Sequence, residues 1–487
     1  MTGIDVQVSG LDGDAVAIGR PALDDFAAGF SGSLLQSRDE GFASAVLIWN
    51  AMAAKTPALV AQPATAGDAA AAVSFARDHQ ILLSVKGGGH NIAGTALADG
   101  GLTLDMSRMN HVEVDPDRRL ARVGPGCLLQ DVDRATQQHG LATVLGFVSE
   151  TGVAGLTLGG GFGYLTRRFG WTVDNLEEVE LVTADGTLRR ASRTAHEDLF
   201  WALRGGGGNY GVATEFVFRL HQVGPRITGG MIAWSADRAD EVLTVFRDLT
   251  QTAPRELTLA CTMRFAPPAP FIPAEWHGKP IIGVIACHTG DPVSAARDLA
   301  PLRDLGQPIA DMIVEKDYAE QQSLLDATQP KGLHYYWRSE FLPGLSDGLL
   351  ADFSRQAAAI TSPISQMILF HLAGALSERT EDDGAVGNRD AGFMAAAVGA
   401  WPADDRNSEA HLEWARTAGG ALRAHSTGGN YVNFQTADDG DARTREAYRS
   451  NFERLAAVKA IYDPGNLFRV NRNVSPAAPP AGADAMA

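Results

Sequence analysis

Ser84–Gly94, SVKGGGHNIAG, is the stretch on which the reading of the chain turns. Three consecutive glycines make a poor helix and a poor strand; glycine is used where backbone must bend tightly or approach a ligand. Here the run ends on a nucleophilic side chain, His90. Upstream, an apolar strand at Ile81–Val85 follows an Ala-rich helix over Ala66–His79 and a strand at Ala58–Val60. The spacing predicts a βαβ unit with the glycine run at the end of its second strand.

Two more glycine clusters follow, Gly159–Gly163 within TGVAGLTLGGGFGYLTRRFG and Gly205–Gly208 within DLFWALRGGGGNYGVATEFVFRL. Backbone N–H groups at such loops form concave nests for phosphate oxygens, and a large anionic ligand lying across several loops would use all three. The alternative is that 53 glycines simply make many turns. GLTLGGGFG is not a dinucleotide fingerprint, because no strand runs directly into it and no acidic residue follows about twenty positions on. The pattern GxxxxGK[ST] is absent as well.

Around these clusters the pattern reads as a short helix in LDDFAAGF, an alternating strand near Ala45–Trp49, and antiparallel strands over residues 101–126 turned by Asp-Pro-Asp. A helix over Leu128–His139 and a hairpin in VELVTADGTLRRAS with Asp-Gly at its turn come next. Gly224-Pro225 ends this half. Beyond it, apolar strands such as IIGVIAC and QMILFHLAGAL alternate with amphipathic helices such as DPVSAARDLAPLRDLG, which predicts an antiparallel sheet with helices on a face. NYVNFQ, one helix over TREAYRSNFERLAAVKAIYD, and PGNLFRVNRNVSP close the chain. The expected class is α+β, in segments 1–40 (a cap), 41–225, 226–429, 430–475 and a disordered tail at 476–487.

A net charge of −17 over 487 residues argues against nucleic acid as a partner and against docking on an anionic membrane. Cys127, Cys261 and Cys287 are far apart and form no CxxC pair, so neither a disulfide framework nor a metal site is expected. With no secretory pattern at the start and no apolar run long enough to span a bilayer, the expected location is the cytoplasm.

SVKGGGHNIAG, TGVAGLTLGGGFGYLTRRFGWTVDNL, LFWALRGGGGNYGV and YVNF…YDPGNLFRVNRNV recur in the order seen in one family. The chain resembles the berberine-bridge-enzyme-like FAD-linked oxidases of the vanillyl-alcohol oxidase superfamily over about Ala45 to Val474. The resemblance implies a PCMH-type two-subdomain FAD-binding module, a central substrate domain, and a C-terminal segment returning to the flavin site. It implies FAD attached covalently through His90, within a loop of Lys86, Gly87, Gly88, Gly89, Asn91 and Gly94. A neutral imidazole is a competent nucleophile for such a bond. Some relatives add a cysteinyl link; that position is Val148 here, so a single link is expected.

The resemblance further implies that Gly152, Gly155 and Gly159, Gly160 and Gly161 let backbone lie against FAD, and that Thr151 controls oxygen access. Asp174 and Asn175 would fix the isoalloxazine or its loop, and Asn209–Val212, with Gly211 and Val212, the adenine-ribose end. Asn471 and Asn473 would close the site from the C-terminus. On the substrate side it puts Tyr431 and Asn433 facing the flavin, Tyr431 as base, with Tyr336 and Trp337 on a strand lining the cavity and Arg338 where lysine is usual. His371 is a candidate pocket residue or a satisfied core histidine. The activity implied is hydride transfer from a small-molecule alcohol or amine to FAD, with O2 as acceptor and hydrogen peroxide as product, in a monomer or homodimer. A dehydrogenase with another acceptor, or a natural-product-tailoring monooxygenase or cyclase, are the alternatives on the same scaffold.

Overall fold

The computed structural model describes residues 5–478, and three main sheets organise them. The first has four strands in the order Ser33–Leu35, Leu59–Gln62, Leu102–Asp105, Leu83–Lys86. The βαβ helix, Ala66–Asp78, starts at Thr65, whose side chain accepts from the Asp68 N–H while Asp68 bonds back to the Thr65 backbone. Leu102–Asp105 lies between the two strands of that unit and runs parallel to both, where an antiparallel strand was expected. All four of its residues are buried, as a strand covered on both faces of a parallel sheet must be. The chain leaves Leu83–Lys86 into the glycine run, at the carboxyl end of a parallel strand, where ligands gather in open α/β sheets.

The second sheet is antiparallel, with five strands ordered Leu188–Ser192, Leu176–Val182, Val212–Arg219, Leu120–Val123, Val112–Asp115. Its Asp-Gly hairpin turns at Gly186, whose φ of +78° suits glycine.

The third sheet has eight antiparallel strands drawn from residues 226–401. On one face Trp234, Phe246, Phe353, Trp401 and Trp414 pack with helices Ala239–Thr252, Asp347–Ala358 and Ser408–Arg423. Each large side chain removed from water there contributes roughly 1.5–3 kcal/mol before entropy is counted. On the other face Ile368, Phe370 and Val398 meet Phe162, Trp171 and Tyr431 from the remainder of the chain. The fold is α+β, and the seam beneath this second face holds the site.

Two further local expectations fail. Residues 45–49 form no strand: Phe42–Ala45 is helical, and Ile48 and Trp49 are both buried instead of alternating in exposure. The C-terminal helix breaks into Asp441–Tyr448 and Phe452–Tyr462 at Arg449, whose φ is +49° and whose guanidinium pairs with Glu381 and Asp390. Of the expected disordered tail, Ala477 N–H donates to Ala456 O at 2.9 Å, and residues 479–487 lie outside the described residues.

Candidate active site and cofactor cavity

A cavity of about 280 Å³ follows the seam. Gly87–Gly89 and His90 form one wall, Gly152 and Gly155 another, and Gly207, Gly208 and Gly211 a third. The first and third glycine clusters therefore share one space, together with Gly152 and Gly155 from the stretch that precedes the second. Among the described residues, the N–H groups of Gly88, Gly89, His90 and Asn91 find no acceptor. Such a run of open donors is an anion-binding nest.

His90 stacks on Trp49, with ring centroids 4.3 Å apart and planes 15° apart, and Trp49 stacks in turn on Tyr335 at 3.6 Å. Trp49 Nε1 donates to Gln329 O at 2.9 Å, which fixes the middle ring. His90 Nε2 is shut from solvent and, among the described residues, has no hydrogen-bond partner. Burial pushes the His90 pKa down to about 4, so the ring is neutral at pH 7 and its lone pair is available.

Tyr431 borders the cavity and is 4% exposed. Its phenol oxygen accepts from Gly161 N–H at 3.0 Å and from Asn433 Nδ2 at 3.0 Å; Asn433 also donates to Leu156 O. Burial pushes the phenol pKa up to about 12 against the pull of those two donors. Aromatic rings surround it: Phe162 at 5.2 Å, Phe434 at 5.0 Å and, beyond Phe434, Trp337 at 4.7 Å.

Of the other residues singled out from sequence, Thr151, Asn91 and Asn471 also border the cavity. Asn471 Nδ2 donates to Gly208 O and Phe468 O, which ties the C-terminal segment to the third glycine cluster. Val148, the position compared with a second flavin link, borders it too, whereas the three cysteines do not.

Several expected cavity residues stand elsewhere. Tyr336 and Trp337 are consecutive on strand His334–Leu342, so they face opposite sides of the sheet. Trp337 reaches the cavity; Tyr336 enters the helix-side core, and its OH donates to Asp438 at 2.7 Å. His371 fails by the same parity: Gln366, Ile368 and Phe370 face the cavity, while His371 Nε2 sits 2.6 Å from Arg167 Nη1. Asp174 forms a buried bidentate ion pair with Arg389 at 2.8 and 2.9 Å, and Asn175 bonds to Phe169 O, Trp171 O and His221. Lys86 pairs with Asp105 at 3.3 Å, Val212 lies in the core, and neither Gly94 nor Asn473 borders the cavity.

Gly159, Gly160 and Gly161 stand behind the wall, not in it. A Cβ on Gly159 would come 2.1 Å from Asn433 Oδ1, and Gly160 lies beside Tyr431. These glycines seat Tyr431 and Asn433.

Sequence reasoning missed Trp49, Gln366, Tyr448 and Arg472. Arg472 stands between the two asparagines already singled out, and that position was the available signal. Among the described residues bordering the cavity it alone carries a formal charge at neutral pH. Its Nη1 and Nη2 donate to the Asp439 and Thr436 carbonyls, and among the described residues its buried Nε has no partner.

A glycine-walled cavity with an open anion nest and a tyrosine–asparagine pair among aromatic rings suits an enzyme that holds a nucleotide cofactor. The family model described as "FAD binding domain" matches residues 57–192, and that described as "Berberine and berberine like" matches 430–475. (R)-6-hydroxynicotine oxidase from Paenarthrobacter nicotinovorans is 32% identical over 464 residues, covering 91% of this chain and 97% of the relative. The crystal structure of 6-hydroxy-D-nicotine oxidase from Arthrobacter nicotinovorans superposes with a TM-score of 0.81 at 28% identity, covering 92% and 98% of the two chains. Glucooligosaccharide oxidase from Acremonium strictum, with a 6-S-cysteinyl, 8α-N1-histidyl FAD, gives 0.83 at 25% identity, covering 94% and 100%. The chain belongs to the berberine-bridge-enzyme-like family of FAD-linked oxidoreductases.

The residues present fit FAD. The nest at Gly88–Asn91 and the cation of Arg472 suit a pyrophosphate. The partnerless His90 Nε2 and Trp337 Nε1 are polar atoms that a polar, aromatic ligand can satisfy.

Proposed function

We propose that this chain is an oxidase that draws a hydride from a small-molecule alcohol or amine onto FAD tethered through His90, with O2 as the acceptor and hydrogen peroxide as product. The observation that carries the reading is His90 Nε2: buried, neutral and without a partner in the wall of the cavity that also holds Tyr431. Bound FAD supplies the two-electron acceptor.

The chain supplies position and proton handling. Trp49 holds the His90 ring in one orientation through stacking on its face. Tyr431, in its phenolate form, takes the proton from the substrate hydroxyl or amine at its phenol oxygen. Gly161 N–H and Asn433 Nδ2 already point at that oxygen, so negative charge developing there meets two fixed donors. The surrounding rings exclude water. Val148 leaves His90 as the one tether.

An oxygen electrode coupled to a peroxide assay, run over alcohols, amines and sugars, tests the reading. Equimolar O2 loss and peroxide gain supports it. Turnover only with an artificial dye as acceptor would overturn the oxidase assignment while leaving the oxidoreductase family intact.

A further inference from the structure

The seam-facing side of the large sheet carries one cross-strand row beside Tyr431. Trp337 is in register with Val398, and Val398 with Gln366. Residues in register lie on the same face, and all three border the cavity. Two strand spacings separate Trp337 from Gln366, or roughly 10 Å. Gln366 Oε1 accepts from Thr262 Oγ1 at 2.8 Å, which holds the amide in one orientation. Among the described residues its Nε2 has no acceptor, and it borders the cavity.

Phe147, Phe162, Ile368, Phe370 and Phe434 also border the cavity, beside the Tyr431–Asn433 pair, and among the described residues no carboxylate does. An ammonium ion placed here would lose its hydration with no counter-charge, and a sugar would bury hydroxyls against hydrocarbon. Phe370 stands 5.0 Å from Phe147 and 5.3 Å from Phe162, a cluster suited to edge and face contact with another ring.

We propose that the substrate of this site is an uncharged aromatic alcohol or phenolic molecule, its ring system lying over the Trp337–Val398–Gln366 row and one carbonyl or hydroxyl oxygen accepting from Gln366 Nε2. The inference rests on the oxidoreductase reading and narrows its alcohol-or-amine class to neutral aromatic compounds. In a model reaction 1-tetralol becomes 1-tetralone: two electrons and two protons leave the secondary alcohol, and O2 takes them to give hydrogen peroxide.

The test is ligand binding to the holoenzyme, read from perturbation of its visible flavin absorbance. The probes are 1-tetralone, tetralin (the same hydrocarbon without the oxygen), 1-aminotetralin at pH 7, and D-glucose. 1-Tetralone should bind about five- to tenfold tighter than tetralin, the worth of one hydrogen bond. Gln366→Leu should erase that difference by weakening the ketone alone, and Gln366→Glu should weaken it further, because a carboxylate cannot donate. 1-Aminotetralin and glucose should not bind where 1-tetralone saturates. Equal or tighter binding of the cation or the sugar would overturn the proposal. So would equal loss of ketone and hydrocarbon in Gln366→Leu, which is what a purely structural residue would give. Turnover is scored separately: if 1-tetralone binds as described but 1-tetralol yields no peroxide, the oxidase reading fails and the binding site stands.

Discussion

Gly88 and Gly152 pack backbone against backbone: a Cβ on Gly152 would lie 2.3 Å from Gly88 N, and one on Gly88 would lie 2.5 Å from Gly152 N. The first and second glycine motifs thus meet each other as well as the cavity. Gly152→Ala should push the loop carrying His90 out of place. The expected result is a less stable protein, by about 1–3 kcal/mol as for other overpacked sites, with a lower flavin-to-protein ratio. A fully yellow variant with the parent melting temperature would contradict this packing argument.

Tyr431 with its two donors sets the pH dependence. A phenol pushed up to about 12 is protonated at neutral pH, and its ionised fraction grows tenfold per pH unit. If Tyr431 is the base, kcat/KM should climb with pH across the alkaline range while FAD stays bound. Tyr431→Phe should lower kcat by about 10²–10⁴ and abolish the climb. A flat wild-type profile from neutral to alkaline pH would assign the proton to another group.

His371, removed from the cavity by strand parity, makes a prediction about stability instead. Burial first, then the Arg167 charge, push its pKa down to about 2. Its unfolded value is about 6.5, so between these limits the unfolded chain binds a proton that the native chain does not. That contribution is present above about pH 6.5 and is lost as pH falls. Between pH 7 and 5 the loss is about 2 kcal/mol. Urea unfolding of His371→Gln, which keeps an acceptor for Arg167, should show a correspondingly smaller drop over that interval; an unchanged drop would contradict the assignment.

Arg472 should act on the anionic part of FAD. In a His90→Ala background, where cofactor can dissociate, adding Arg472→Met should weaken FAD binding at least about tenfold and flatten its salt dependence, as loss of a charge-assisted contact requires. Dilution of the holoproteins followed by flavin fluorescence measures both. Unchanged affinity would place the cation outside the cofactor contact.

What the sequence made legible follows from which forces are local. The βαβ unit of Ala66–Asp78, the Asp-Gly hairpin and the helix-backed antiparallel sheet all carry their own periodicity or turn chemistry. The first and third glycine clusters were legible as lining one cavity because glycine runs have few other uses. Motif matching could not decide which face of a strand a residue takes. Tyr336 and Trp337 sit in one motif, and only the sheet register separates them. Nor could it tell wall from support: Gly159 and Gly161 look like a cofactor cradle until the chain brings Asn433 and Tyr431 against them from more than 250 residues away. Arg472 escaped notice because its meaning depends on the other cavity residues being uncharged, a property of the assembled site.

The central claim is that His90 carries the cofactor. Trypsin digestion of denatured, washed holoprotein, followed by mass spectrometry of the peptide spanning Gly87 to Arg108, tests it most directly. The account predicts a mass increment of one FAD, or of its flavin-containing fragment, localised to His90 and lost in His90→Ala. An unmodified peptide from protein that was yellow before denaturation would contradict it.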